Sequence, residues 1–157
     1  MDIATPQKWL YKATVRDIVD GDTADFDVDL FSILSQIPVL DAEYLDIGFK
    51  LHIPNSLIQL IRESDQTIFL KDERFRFARI NAPEKKGASA QLGKKSLDFV
   101  AEKMPVGSKV SIETTKVRGK TRQDKYGRYL GTIILADGTI LNETLLKRGF
   151  AVPYRYQ

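Results

Sequence analysis

The chain has 157 residues, 43% hydrophobic and 29% charged, enough for one domain with a real core. Without cysteine it excludes a disulfide framework, thiolate metal sites and thiol catalysis. A net charge of +3 permits a nucleic-acid partner without requiring one. The N-terminal residues lack a leader pattern and no apolar run reaches membrane-spanning length. The expectation is therefore a cytoplasmic protein with no membrane partner, or a secreted one if a leader has been removed.

Residues 10–19 suit a strand, followed by a turn at Asp20 and Gly21, which allows the chain to reverse tightly. A second strand then alternates strictly. Ala24, Phe26, Val28 and Leu30 form one face, and Asp25, Asp27 and Asp29 form the other, expected to be a solvated acidic face. Asp22 shares the parity of the apolar set, so it should point inward. A buried carboxylate needs a partner, either a metal or an arginine.

Residues 31–66 read as an insertion between the second and third strands, with apolar Ile33, Leu34, Ile37, Val39 and Leu40 and a short helix at 56–63. The only histidine, His52, lies there and is expected to be structural. Residues 67–70 and 74–80 read as a hairpin around 71–73. Residues 91–103 form an amphipathic helix with Leu92, Leu97, Val100 and Ala101 as its apolar stripe. Strands follow at 109–115 and 129–135, then a turn at 136–138 into 139–141. Asn142 should cap a last helix through Arg148, stopped by Gly149. This order predicts an α+β, mainly β single domain over 1–157: a five-stranded barrel of the OB-fold type with two or three helices.

Three stretches carry the chemistry: V-D-G-D-T at 19–23, R-I-N-A-P-E at 79–84 and D-K-Y-G-R at 124–128. Carboxylates hold hard divalent cations, another carboxylate can activate water, and guanidiniums fit a phosphate bidentately. Each stretch alone is weak; an aspartate-glycine-aspartate is a common turn. Lysines and arginines crowd 116–128 and 85–95, runs that would otherwise be taken as solvated faces.

In this order, with Arg76 and Arg128, the three stretches resemble the staphylococcal nuclease (thermonuclease) family over residues 11–30 and 74–156. The resemblance implies an OB barrel and a calcium-dependent endonuclease acting on DNA, with RNA as a second substrate. Water attack would leave 3′-phosphate ends. By the same resemblance Asp22 ligates calcium, Asp20 assists nearby, and Thr23 positions a metal-bound water. Glu84 is the general base, its direction fixed by Pro83. Arg76 grips the scissile phosphate and Arg128 stabilises the developing charge. Lys125, Tyr126, Tyr154 and Tyr156 contact the nucleotide, although for Tyr154 and Tyr156 packing at the barrel rim stays an open alternative. Arg79, of opposite strand parity to Arg76, should face solvent.

The sequence departs from the family at Asn81, where the best-known members carry a ligating aspartate. An amide oxygen still suits a hard cation but adds no charge, so weaker binding or another divalent ion is expected. Ala82 replaces a threonine that contributes only its backbone carbonyl. The competing function is a catalytically weakened OB module that binds nucleic acid or a protein. A monomer is expected. The insertion should leave the barrel beside the site, as a substrate gate, a surface for a protein partner, or a patch for the C-terminal end, which stops at Gln157 short of the family's usual last helix. Its acidic balance makes it a poor direct grip on phosphates.

Overall fold

A computed structural model describes residues 7–29, 44–46, 52–54, 69–117, 120–121 and 129–154. The strands are β1 (Gln7–Asp20), β2 (Thr23–Asp29), β3 (Tyr44–Asp46), β4 (His52–Pro54), β5 (Phe69–Phe77), β6 (Ile80–Asn81), β7 (Lys109–Val117), β8 (Lys120–Thr121), β9 (Tyr129–Ile134) and β10 (Val152–Pro153). The helices are α1 (Ala90–Lys103), preceded by a 3-10 turn at Gly87–Ser89, and α2 (Leu141–Lys147). No helix among the described residues is long and apolar enough to cross a membrane.

Strands β1, β2, β5, β9 and β7 pair in that order, and β7 pairs back onto β1, which closes a five-stranded barrel. This is the OB-fold expected from the sequence. Closure depends on the length of β1. Its first half pairs with β7 from Gln7 to Thr14, and its second half pairs with β2 from Ala13 to Asp20. Register shifts between Val15 and Asp17 and between Ile18 and Asp20 let the strand bend from one partner to the other. The contact of β5 with β9 is parallel, with Phe75 opposite Tyr129.

Inward positions alternate along each strand and fill the barrel: Tyr11, Ala13 and Val15 from β1, Ala24, Phe26 and Val28 from β2, Phe75 and Phe77 from β5, Ile112 from β7 and Ile133 from β9. Phe26 and Phe75 meet edge to face at 5.9 Å. Burying a side chain of this size stabilises by about 1.5–3 kcal/mol, so this core dominates the fold. Asn142, expected to cap α2, lies inside it; Ile140 is the N-cap and makes no side-chain capping bond. The buried Asn142 amide instead accepts from the Ile133 N–H at 2.9 Å and donates to Ala78 O at 3.0 Å and Gly131 O at 3.2 Å. It ties the turn after β5 to β9, and α2 ends before Gly149 as expected.

Three further expectations are corrected. Residues 69–77 form one strand, not a hairpin, because Asp72 (φ +53°) makes a bulge: the register jumps from Phe26–Glu73 to Val28–Leu70. Asp27 is therefore 5% exposed rather than part of a solvated face. Its carboxylate accepts the bulge's Asp72 N–H at 3.1 Å and lies beside Lys71 and Arg16. In α1 the buried positions are Gly93, Ser96, Phe99 and Val100, whereas Leu92 is exposed and only Val100 of the expected stripe is fully buried. Gly93 and Ser96 face inward because α1 packs there onto the Glu84 backbone and the Gly21 turn, while Phe99 and Val100 join the core.

The insertion's position also differs. Asp29 pairs with Phe69, whereas Thr23 pairs with Arg76 at the other end of the same ladder. Six residues of strand, about 20 Å, separate the insertion's attachment from Asp22. Within it, β3 and β4 form a small antiparallel hairpin, Tyr44 opposite Pro54. The helix expected at 56–63 and the other insertion residues lie outside the described ones.

Candidate active site

The turn between β1 and β2 brings Asp22 to one mouth of the barrel. Gly21 matters there through proximity, not dihedral freedom: a Cβ on it would lie 2.7 Å from Ser96 Cβ and 3.0 Å from Ala82 Cβ. The turn thus packs directly against α1 and the loop after β6. The Asp22 backbone O also accepts the Phe77 N–H at 2.7 Å, locking the turn to the end of β5.

Asp22 is 6% exposed and Arg76 is 8% exposed. Asp22 Oδ2 accepts the Ala82 N–H at 2.9 Å and Arg76 Nη1 at 3.4 Å, and Oδ1 accepts the Thr23 hydroxyl at 2.9 Å. Arg76 Nη2 donates to Ile80 O at 3.2 Å and to Asn81 Oδ1 at 2.9 Å. Its guanidinium also lies over the Tyr154 ring, 5.3 Å from the centroid. The inward orientation expected of Asp22 is therefore observed, and its partner is an arginine.

The loop is held from two sides. β10 pairs with β6, Val152 opposite Asn81, and the Tyr154 N–H donates to Arg79 O at 2.8 Å. That pairing carries Tyr154 to Arg76. On the other side a Cβ at Gly93 would lie only 2.3 Å from Glu84 O, so α1 rests on the Glu84 backbone. The Ser89 hydroxyl donates to the same Glu84 oxygen at 3.1 Å. Glu84 is thereby fixed by its main chain while its side chain is exposed. Lys85 reaches back across the β1–β2 turn, donating to Val19 O at 2.7 Å and lying 3.8 Å from Asp20 Oδ1.

The cluster at this mouth contains Asp20, Asp22, Thr23, Arg76, Asn81, Ala82 and Tyr154, with Glu84 following in the loop. Arg79 is exposed as expected, but on a turn (φ +67°) rather than on a strand. Lys125, Tyr126, Arg128 and Tyr156 lie outside the described residues. Nothing in the pattern of residues singles out Lys85, a member of a basic run, or Ser89. Both need the loop-to-helix contact to be seen. A cavity of about 370 Å³ lined by Lys12, Asp29, Phe69, Lys109 and Leu135 lies at the opposite mouth and shares no residue with this cluster.

The oxygen donors at the mouth suit a hard cation by type: the Asp22 carboxylate, Asp20, the Asn81 amide and the Ala82 carbonyl. Among the described residues, however, no group of three or more His, Asp or Glu side chains is arranged to hold a metal ion. The arrangement places a guanidinium, held by Asp22 and Asn81, near the exposed Glu84 side chain of a loop whose main chain is fixed by α1.

Residues 74–157 match the family of staphylococcal nuclease homologues. The chain belongs to this family. The match begins in β5 and takes in Arg76, Asn81, Glu84 and Tyr154, while Asp22 lies upstream of it and reaches the cluster through the β2–β5 ladder. The chain is also 32% identical over 89 residues to a Bacillus subtilis (strain 168) protein named endonuclease YhcR. That stretch is 52% of this chain but only 7% of the relative, so the chain corresponds to a small part of a much longer protein.

Proposed function

We propose that this chain is a metal-dependent nuclease that hydrolyses phosphodiester bonds of DNA, with RNA as a second substrate. The observation that carries the proposal is the pairing of the buried Arg76 with the buried Asp22 and the exposed Asn81 at one barrel mouth, beside Glu84, whose main chain is held by α1. Family membership and an endonuclease relative support the same reading.

Asp22, Asn81 and the Ala82 carbonyl would hold a calcium ion, with Asp20 and Thr23 adjacent. When bound, the ion would supply positive charge next to the phosphate. The chain's own residues do the rest. Glu84 takes a proton from the attacking water as the new P–O bond forms; the bond to the 5′ oxygen breaks, and that oxygen leaves with the electron pair and takes a proton from solvent, giving a 3′-phosphate and a 5′-hydroxyl. Arg76 and Arg128 donate to the non-bridging oxygens, where charge accumulates in the transition state. Tyr154 would stack on an unpaired base beside Arg76, a reading supported by the guanidinium over its ring, with Tyr156, Lys125 and Tyr126 as further nucleotide contacts by resemblance.

Incubating purified protein with plasmid and single-stranded DNA, with calcium or with chelator, tests this. Chelator-sensitive cleavage with 3′-phosphate ends is expected. Intact substrate at every divalent ion and pH would leave the barrel as a binding module.

A further inference from the structure

Arg76 bridges the two side chains assigned above as cation ligands. One guanidinium nitrogen contacts Asp22 Oδ2 at 3.4 Å and another contacts Asn81 Oδ1 at 2.9 Å. We infer that Arg76 and a divalent cation compete for Asp22 and Asn81, so that loading the cation releases the guanidinium toward phosphate. The inference rests on the proposed site but concerns the order in which it is assembled.

Three observations carry it. Asp22 is buried and is the inner carboxylate of the cluster, and Arg76 already neutralises it. Asn81 adds no charge, so a dication gains little here while the guanidinium remains, and the two cations repel in proportion to the product of their charges. Arg76 also has holds that need not break. Its bond to Ile80 O and its stacking on Tyr154 involve neither ligand, and they give the side chain a pivot about which to turn outward. The guanidinium is thus held on one carboxylate and one amide, and a cation that takes both oxygens would free its N–H groups for substrate oxygens.

Calcium titrated calorimetrically into wild-type protein and Arg76→Met, without nucleic acid, tests the competition. Removing one charged hydrogen-bond partner should tighten binding about tenfold. Arg76→Lys, which keeps the charge but cannot span both oxygens, should fall between. Equal or weaker calcium affinity in Arg76→Met overturns the inference, as does the absence of binding in both proteins. If Arg76→Met is poorly folded, the rise in Tm with calcium replaces the titration. A larger rise than in wild type supports competition, and an equal or smaller one overturns it. Cleavage is not the readout, so a protein that shows competition yet cuts nothing keeps this inference and loses the nuclease assignment.

Discussion

Asp22 and Asp27 lie five residues apart, both buried and both paired with cations, yet their surroundings differ in kind. Around Asp27 everything belongs to three neighbouring strands of one sheet: the Asp72 N–H of a bulge and Lys71 from β5, and Arg16 from β1, both cations at the surface. Around Asp22 four separate segments converge, namely the β1–β2 turn, the end of β5, the loop at 81–82 and, through Arg76, the segment carrying Tyr154. Burial and ion pairing alone would rank the two carboxylates together. Convergence of segments, with chemistry-bearing groups left accessible nearby, is what separates a candidate site from a structural plug.

The largest effect expected on this contrast is at Glu84. Glu84→Gln keeps the shape and removes the base, so turnover should fall by about 10²–10⁴ while nucleotide binding stays. Single-turnover cleavage beside a binding titration separates the two. Next comes Arg76→Ala, expected to lower kcat by about 10²–10³. Arg79→Ala, on the exposed turn, should change it little; a larger loss there would reverse the assignment of the phosphate-gripping arginine.

At Asp27 the expected effect is on stability. Burial pushes the Asp27 carboxyl up, but the Asp72 N–H, the Lys71 ammonium and the Arg16 guanidinium together hold it below the ordinary carboxylate value. A lowered folded-state pKa means the unfolded chain binds the proton first as pH falls. The stabilisation is therefore complete above the unfolded value of about 3.9 and is lost as pH drops through the lower folded value. Asp27→Ala should cost about 1.5–3 kcal/mol near neutrality, mostly from the backbone bond, since Lys71 and Arg16 are well exposed and screened. Urea midpoints measured against pH should converge with wild type below about pH 4, with cleavage rates of the folded protein unchanged.

The smallest effect expected is at Asn81. Asn81→Asp adds a charge that also strengthens the contact with Arg76, but a dication gains more from it than a guanidinium does. Calcium affinity should therefore rise, by less than in Arg76→Met. Unchanged or weaker affinity would remove Asn81 from the ligand set.

The inward placement of Asp22 was legible because strand parity is local and the turn pins its phase. The barrel was legible for the same reason: its strands alternate cleanly at 24–28 and 109–115. Asp27 misled because its burial is decided by a bulge on the opposite strand, which no pattern within 24–30 encodes. The stripe on α1 misled because its first turns pack against the main chain of the β1–β2 turn and of Glu84, a surface that selects Gly93 and Ser96, and only its later part turns Phe99 and Val100 to the core. Asn142 looked like a cap by type and position. Its amide serves backbone groups from β9 and from the turn after β5, a long-range demand that outcompetes the local one.

The pairing of Asp29 with Phe69 has an engineering consequence. Partners across a ladder stand about 5 Å apart, so any guest segment whose ends meet at that spacing can be spliced in at this joint. Lengthening such a guest is cheap, about 0.6 kcal/mol per doubling of a flexible loop. The barrel can therefore carry a grafted module on its rear mouth, about 20 Å of strand away from Asp22, and a reporter or affinity handle placed there leaves the Asp22 mouth untouched.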